Sequence, residues 1–101
     1  MSLRLRTLIP LRDSIKNTYQ ELVRRGDSRS RNYWVAYELI EAQIAITKQN
    51  PTAARAALLS AAQSSDGKRA VIERAAKKEE LSRQLLTQLT LEVFPRWPEL
   101  D

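Results

Sequence analysis

The chain has 101 residues, of which 43% are hydrophobic and 29% are charged, and its formal net charge is +5. This length suits a single domain, and the hydrophobic share excludes a disordered tail of low hydrophobicity. Two glycines and four prolines are too few for a turn-rich β-sandwich. Alanine, leucine, arginine, glutamate and glutamine dominate the composition, and all of them favour helices.

Several functions are excluded by residue types that the chain lacks. It has no cysteine, which rules out a disulfide framework, a thiolate zinc site and a cysteine nucleophile. It has no histidine, the usual general base and the commonest metal ligand. We therefore predict no catalytic residue, no metal site, no cofactor and no enzymatic activity. No stretch approaches the roughly 18 apolar residues of a membrane span, so we expect a cytoplasmic protein with no membrane partner.

Four helices are predicted in one domain of residues 1–101, near 8–25, 28–49, 52–65 and 68–93, with irregular ends at 1–7 and 94–101. In the first helix, apolar residues recur every three or four positions, as on one helix face. Pro10 fits the first turn, where its missing N–H is not needed, and Gly26 suits the position after the last turn. Because short loops favour antiparallel neighbours, the expected fold is all-α, an antiparallel four-helix bundle.

The later helices differ in their apolar patterns. The second has the broadest apolar face, which predicts that it is central to the core and that Trp34 is a core residue. Tyr33, Trp34 and Tyr37 could also stack on bases, but their helical spacing favours packing in the core. Asn50-Pro51 ends it, because the residue before a proline avoids the helical conformation, and Thr52 is the expected N-cap of the third helix. In the fourth helix the charged stretch KKEE, residues 77–80, interrupts the pattern. There the helix either projects past the core or bends.

Basic residues are concentrated near the start of the chain, where residues 1–31 have a net charge of +5 and residues 32–66 have −1. Twelve of the 17 are arginine, whose planar guanidinium suits phosphate better than an ammonium does. In an up-down-up-down bundle, the turn between the first two helices and the turn between the last two share one end. This end would collect the six predicted nucleic-acid-binding residues, Arg24, Arg25, Arg29, Arg31, Lys68 and Arg69.

A basic surface of this kind contacts the phosphate backbone with little sequence specificity. The predicted function is therefore non-catalytic nucleic-acid binding, with RNA or DNA as the partner. The same charges would also suit a surface that only keeps the protein in solution.

A basic, all-helical chain of this size resembles the small subunit of CRISPR effector complexes. The likeness is carried by the aromatic-rich helix RNYWVAYELIEAQIAI, the arginine-rich turn before it and the terminal segment FPRWPELD. It implies a non-catalytic subunit of a ribonucleoprotein. Copies of this subunit would line the belly of a guide-RNA complex, contact protein neighbours and touch the target or displaced strand through basic side chains.

Two other classes are open on the sequence. One is a helical adaptor or homodimer, which buries apolar helix faces against a protein partner. The other is a viral helical protein that binds double-stranded RNA by its shape. Both nucleic-acid hypotheses predict salt-sensitive binding, whereas the adaptor hypothesis does not.

Overall fold

The computed structural model of the chain describes residues 5–65 and 67–96, which form five α-helices. These are α1 (Leu5–Arg24), α2 (Ser30–Thr47), α3 (Pro51–Ser64), α4 (Arg69–Ala76) and α5 (Arg83–Val93). No strand occurs in this part of the chain, so the predicted all-α class is confirmed. Most of the two predicted irregular ends, residues 1–4 and 97–101, lies outside the described residues.

The single helix predicted over residues 68–93 is wrong, because the chain forms two helices there. α4 ends at Ala76, and residues 77–80 are exposed and not helical. Leu81 is buried in the core, and the Ser82 hydroxyl caps α5 by accepting a hydrogen bond from the N–H of Leu85 at 3.0 Å. Burial of Leu81 and this new cap bring α5 back against α2 and α4, so a five-helix arrangement takes the place of the four-helix bundle.

The bounds of α1 differ from the prediction at its start and agree with it near its end. α1 begins at Leu5, so Pro10 lies in the second turn and cannot donate to the carbonyl of Arg6, its ordinary helical acceptor. Gly26 has a φ of +66°, which confirms its predicted place after the helix. The turn is closed by a hydrogen bond from the N–H of Asp27 to the carbonyl of Leu22 at 2.9 Å.

The connection between α2 and α3 is a tight turn that ends at Asn50-Pro51. The side-chain oxygen of Asn50 accepts a hydrogen bond from the N–H of Ala53 at 3.1 Å, and Pro51 is the first residue of α3. Asn50 is therefore the N-cap, and the prediction of Thr52 for this role is wrong. The proline starts the new helix as well as ending the previous one, because its missing N–H needs no partner in a first turn.

The hydrophobic core draws on all five helices, and α2 lies at its centre, in contact with α1, α3 and α5. The predicted central position of this helix is confirmed. The largest fully buried side chains are Leu8, Leu39, Ile40, Leu58, Ile72 and Leu86. Full burial of each contributes roughly 1.5–3 kcal/mol to stability. Trp34 lies outside this core and is only partly buried, so its predicted core placement is wrong.

Neighbouring helices run antiparallel, which decides where the turns lie. Arg12, early in α1, pairs with Glu41, late in α2, at 3.1 Å. Tyr19, later in α1, contacts Trp34, earlier in α2. The start of α2 and the end of α3 border one cavity. The α1–α2 turn and the α3–α4 turn therefore lie at the same end of the molecule.

Candidate nucleic-acid interface

Two turns bring basic residues to one end of the molecule, which we call the basic end: Arg24, Arg25, Arg29, Arg31, Lys68 and Arg69. Ser30 and Arg31 border the same cavity as residues 63–65. Lys68 follows Ser65 by three residues, a span of at most about 11 Å. The two turns therefore lie close together, as the prediction of one shared basic end requires. Asp66, an acid in the same turn, lies outside the described residues.

Arg24 and Arg25, in the last turn of α1 and just after it, share one carboxylate partner. Both guanidinium groups form ion pairs with Glu21, that of Arg25 at 3.2 Å. The side chains of Arg24 and Arg25 are 76% and 67% exposed. Exposed pairs of this kind contribute little to stability. A phosphate can therefore replace the carboxylate without disturbing the fold.

Arg29 is held against the carboxylate of Asp27 by a 2.8 Å ion pair. The backbone N–H of Arg29 also donates to that carboxylate, at 2.9 Å. Hydrogen bonding from the Arg29 side chain and backbone lowers the pKa of Asp27 to about 2. Asp27 thus stays ionised at neutral pH, and it orders the turn that carries Arg29.

The remaining three bases differ in their pairing. Arg69 forms a 2.6 Å ion pair with Glu73, and this hydrogen bond holds the pKa of Glu73 below its usual value. Arg31 and Lys68 are exposed and have no ion pair with any other described residue. Four of the six bases pair with three carboxylates, which leaves the described part of the basic end with a net charge of +3. Arg31 and Lys68 are therefore the bases best placed for phosphate.

An aromatic cluster lies beside the basic end, around Trp34, which the sequence predicts in the core. The Trp34 ring lies 5.1 Å from that of Tyr19 and 5.3 Å from that of Tyr37, measured between ring centroids. The ammonium of Lys16 lies 5.9 Å from the centroid of Tyr37. One feature of the sequence indicates that Trp34 lies near the basic end: Arg31 and Trp34 are three residues apart and therefore share a helix face. The contact between Tyr19 and Trp34 has no such sequence signal, because it depends on the packing of α1 against α2.

A second cavity, of about 470 Å³, lies toward the other end of α2. Two of its lining residues are Glu38 and Glu41, and Glu41 pairs with Arg12. Burial raises the pKa of Glu38 above its usual value, although a hydrogen bond from Ser60 opposes the shift. Arg12 and Lys48 also line this cavity, so its two bases and two carboxylates balance and it attracts a phosphate less than the basic end does.

Other kinds of site find no support in the described part of the chain. Residues 5–65 and 67–96 contain no group of three or more potential metal ligands. None of the described helices is both long enough and apolar enough to cross a membrane. Compared with models of protein families, with curated proteins and with solved structures, the chain matches none.

Proposed function

We propose that this chain is a non-catalytic nucleic-acid-binding subunit of a ribonucleoprotein, and that its basic end contacts the phosphate backbone. The observation that carries the proposal is the meeting of two turns that bear basic residues at one end, where six bases lie near three paired carboxylates. Four of the six bases are held in ion pairs that leave their side chains at least half exposed.

Backbone contact is the chemistry that such an end supports. Guanidinium groups present paired N–H donors that match the oxygens of a phosphate. These groups lie in turns and at helix ends, and such contacts position a strand without identifying its bases. Binding of this kind is largely driven by the release of counterions, so it weakens as salt is added.

Within ribonucleoproteins, we propose the class of the CRISPR effector small subunit. The support is the small size and basic character of the chain, the all-helical fold of its described part, and the basic end. Several copies arranged along one strand would align their basic ends. Their combined affinity would then exceed that of one copy, because the later contacts form within the assembly.

The first prediction concerns Arg31 and Lys68, which form no ion pair with the described residues. Changing Arg31 and Lys68 together to Glu is expected to weaken binding of every strand alike, because both substitutions reverse a charge at the basic end. If six bases neutralise phosphates of a single strand, the slope of log affinity against log salt is about −4. The double variant is expected to flatten this slope by about 1.4. Fluorescence anisotropy across a salt series measures both effects.

The matched control changes Lys48 and Lys77 to Glu, which alters the net charge by the same amount. Both lysines are exposed. Lys48 follows α2, roughly 26 Å along the helix from Arg31. Lys77 follows α4, next to Lys78, whose carbonyl accepts a hydrogen bond from Arg55 near the start of α3. Equal losses in the two double variants would mean that net charge, and not the basic end, determines binding.

Absence of binding to any single strand or duplex at low salt would contradict the proposed function. That result would favour the adaptor or homodimer. Binding confined to double-stranded RNA would favour the viral class, which recognises the shape of that duplex.

A further inference from the structure

We propose that the cavity beside the basic end binds an unpaired nucleobase of a single-stranded nucleic acid. The base contacts the exposed part of Trp34, while Arg31 pairs with an adjacent phosphate. This inference rests on the proposed function and narrows it from nucleic acid in general to single strands.

The cavity has the volume of a small-molecule site and a mostly polar lining. Its volume is about 480 Å³, and small-molecule sites typically enclose roughly 300–1,000 Å³. It lies between the end of α3 and the start of α2, with α1 alongside. Two of its seven lining residues are aromatic and five are polar: Tyr19, Ser30, Arg31, Trp34, Gln63, Ser64 and Ser65.

Trp34 is fixed in place although it lies outside the core. Tyr19 and Tyr37 contact the indole with ring centroids 5.1 Å and 5.3 Å away and with interplanar angles of 44° and 30°. These contacts hold the ring still before any ligand arrives, which reduces the entropy lost on binding. Stacking on such a ring accepts any base, because every base has a π-face.

The chemistry of the lining suits a planar ligand that carries a phosphate, such as a nucleotide. The guanidinium of Arg31 repels a cationic ligand and attracts a phosphate. Arg31 and Trp34 are three residues apart on α2, which places their Cβ atoms about 5–6 Å apart. One nucleotide can therefore reach both. The hydroxyl and amide groups of residues 63–65 are able to donate to, and accept from, a base edge.

A single strand fits this cavity better than a duplex does. In a duplex each base is covered on both faces by its neighbours, and taking it out of the stack costs a few kcal/mol. An unpaired base in a flexible strand avoids most of this cost. The charge of the basic end attracts both single strands and duplexes. The preference for single strands must therefore come from the aromatic residues that line the cavity, Tyr19 and Trp34.

The deciding experiment compares two single strands of equal length and charge, an oligothymidylate and an abasic deoxyribose-phosphate strand. Fluorescence anisotropy at low salt gives the affinity of the unaltered protein for each. We expect the oligothymidylate to bind at least about 5-fold more tightly, the lower end of what stacking on one aromatic side chain provides. Equal affinities would overturn the base-binding inference and leave the proposed function standing. Failure to bind either strand would overturn the base-binding inference, and the proposed function would fall with it only if RNA strands and duplexes also failed to bind.

Substitutions in the cavity lining test which residues produce the difference in affinity between the two strands. Trp34→Leu and Tyr19→Leu are each expected to bring the ratio of the two affinities toward one. Tyr33→Leu is the matched control, because Tyr33 is also partly buried but packs against the core and does not line the cavity. Partial unfolding lowers both affinities together and cancels in the ratio. An unchanged ratio in both wall variants would contradict the inference.

Tryptophan emission provides a direct readout. The chain has two tryptophans, and Trp97→Phe leaves Trp34 as the single emitter. Oligothymidylate is expected to quench this emission, and the abasic strand is not. Thymidine monophosphate at the same nucleotide concentration is expected to quench less, because it lacks the neighbouring phosphates that reach the rest of the basic end. Equal quenching would assign the cavity to free nucleotides and overturn its assignment to a strand.

Discussion

Among the described residues, two adopt the left-handed conformation just after a helix, and only one of them is glycine. Gly26 follows α1 with a φ of +66°, and Gln49 follows α2 with a φ of +59°. In both turns the next N–H reaches back to a carbonyl of the last helical turn, from Asp27 to Leu22 and from Asn50 to Ala45. The two turns are alike in geometry, but a side chain is strained in this conformation.

Replacing Gln49 by glycine is expected to stabilise the protein by up to about 1 kcal/mol. The left-handed conformation costs a residue with a Cβ roughly 1–2 kcal/mol, and the greater freedom of glycine in the unfolded chain offsets about half of the gain. Thermal unfolding would show a rise of a few degrees in Tm. Gly26→Ala tests the same argument in reverse and is expected to lower Tm.

At the scale of the helix, the break between α4 and α5 depends on the hydrogen-bond partners available at the end of α4 and at the start of α5. The last carbonyls of a helix lack intrahelical donors. Here Arg55 of α3 donates to the carbonyls of Ala76 and Lys78, the latter at 2.9 Å. This contact holds the end of α4 against the start of α3. At the other side of the break, Ser82 caps α5.

Ser82→Ala is expected to destabilise the protein by about 1 kcal/mol, because the N–H of Leu85 loses the hydroxyl that satisfies it. Denaturant unfolding measures the change. Ser14→Ala is the control, since Ser14 lies on the exposed face inside α1 and alanine is the better helix former there. A Ser82→Ala variant as stable as Ser14→Ala would mean that Leu81 alone determines where α5 begins.

At the scale of the whole molecule, one buried hydrogen bond joins the first half of the chain to the last helix. The side-chain amide of Gln43 in α2 donates to the hydroxyl of Thr90 in α5 at 3.2 Å, and both residues are buried. The Thr90 hydroxyl itself donates to the carbonyl of Leu86 at 2.8 Å. Hydrophobic burial alone would allow α5 several positions on α2, whereas this polar pair selects one of them.

Thr90→Val is expected to cost about 1–3 kcal/mol, because the shape is kept while a buried amide loses its acceptor. Tm should fall by several degrees per kcal/mol for a domain of this size. Thr87→Val is the matched control on the same helix, since the buried Thr87 hydroxyl makes no hydrogen bond to the described residues. We expect that change to be neutral or stabilising. Equal losses in the two variants would contradict the role given to the Gln43–Thr90 bond.

The features that the sequence alone determined are those whose causes lie within a few residues. Helix-forming composition and apolar spacing were sufficient for the all-α class and for the central place of α2. Gly26 marked the end of α1 because a glycine readily adopts positive φ. Asn50-Pro51 marked the boundary of α2 and α3 because of the restriction that a proline imposes on the residue before it. The meeting of the two basic turns followed from short loops between antiparallel helices.

Only the tertiary structure decided the features that depend on residues far apart in the chain. Residues 77–80 form helices readily, so the break after α4 comes from the burial of Leu81 and from the packing of α5 on α2. Trp34 lies outside the core because Tyr19, fifteen residues earlier, meets it at the surface. The sequence predicted six bases at one end of the molecule. It did not predict which carboxylates they pair with, because ion pairs depend on side-chain positions that the fold sets. Local preferences act on single turns, whereas packing joins distant segments, and the candidate site lies where packing dominates.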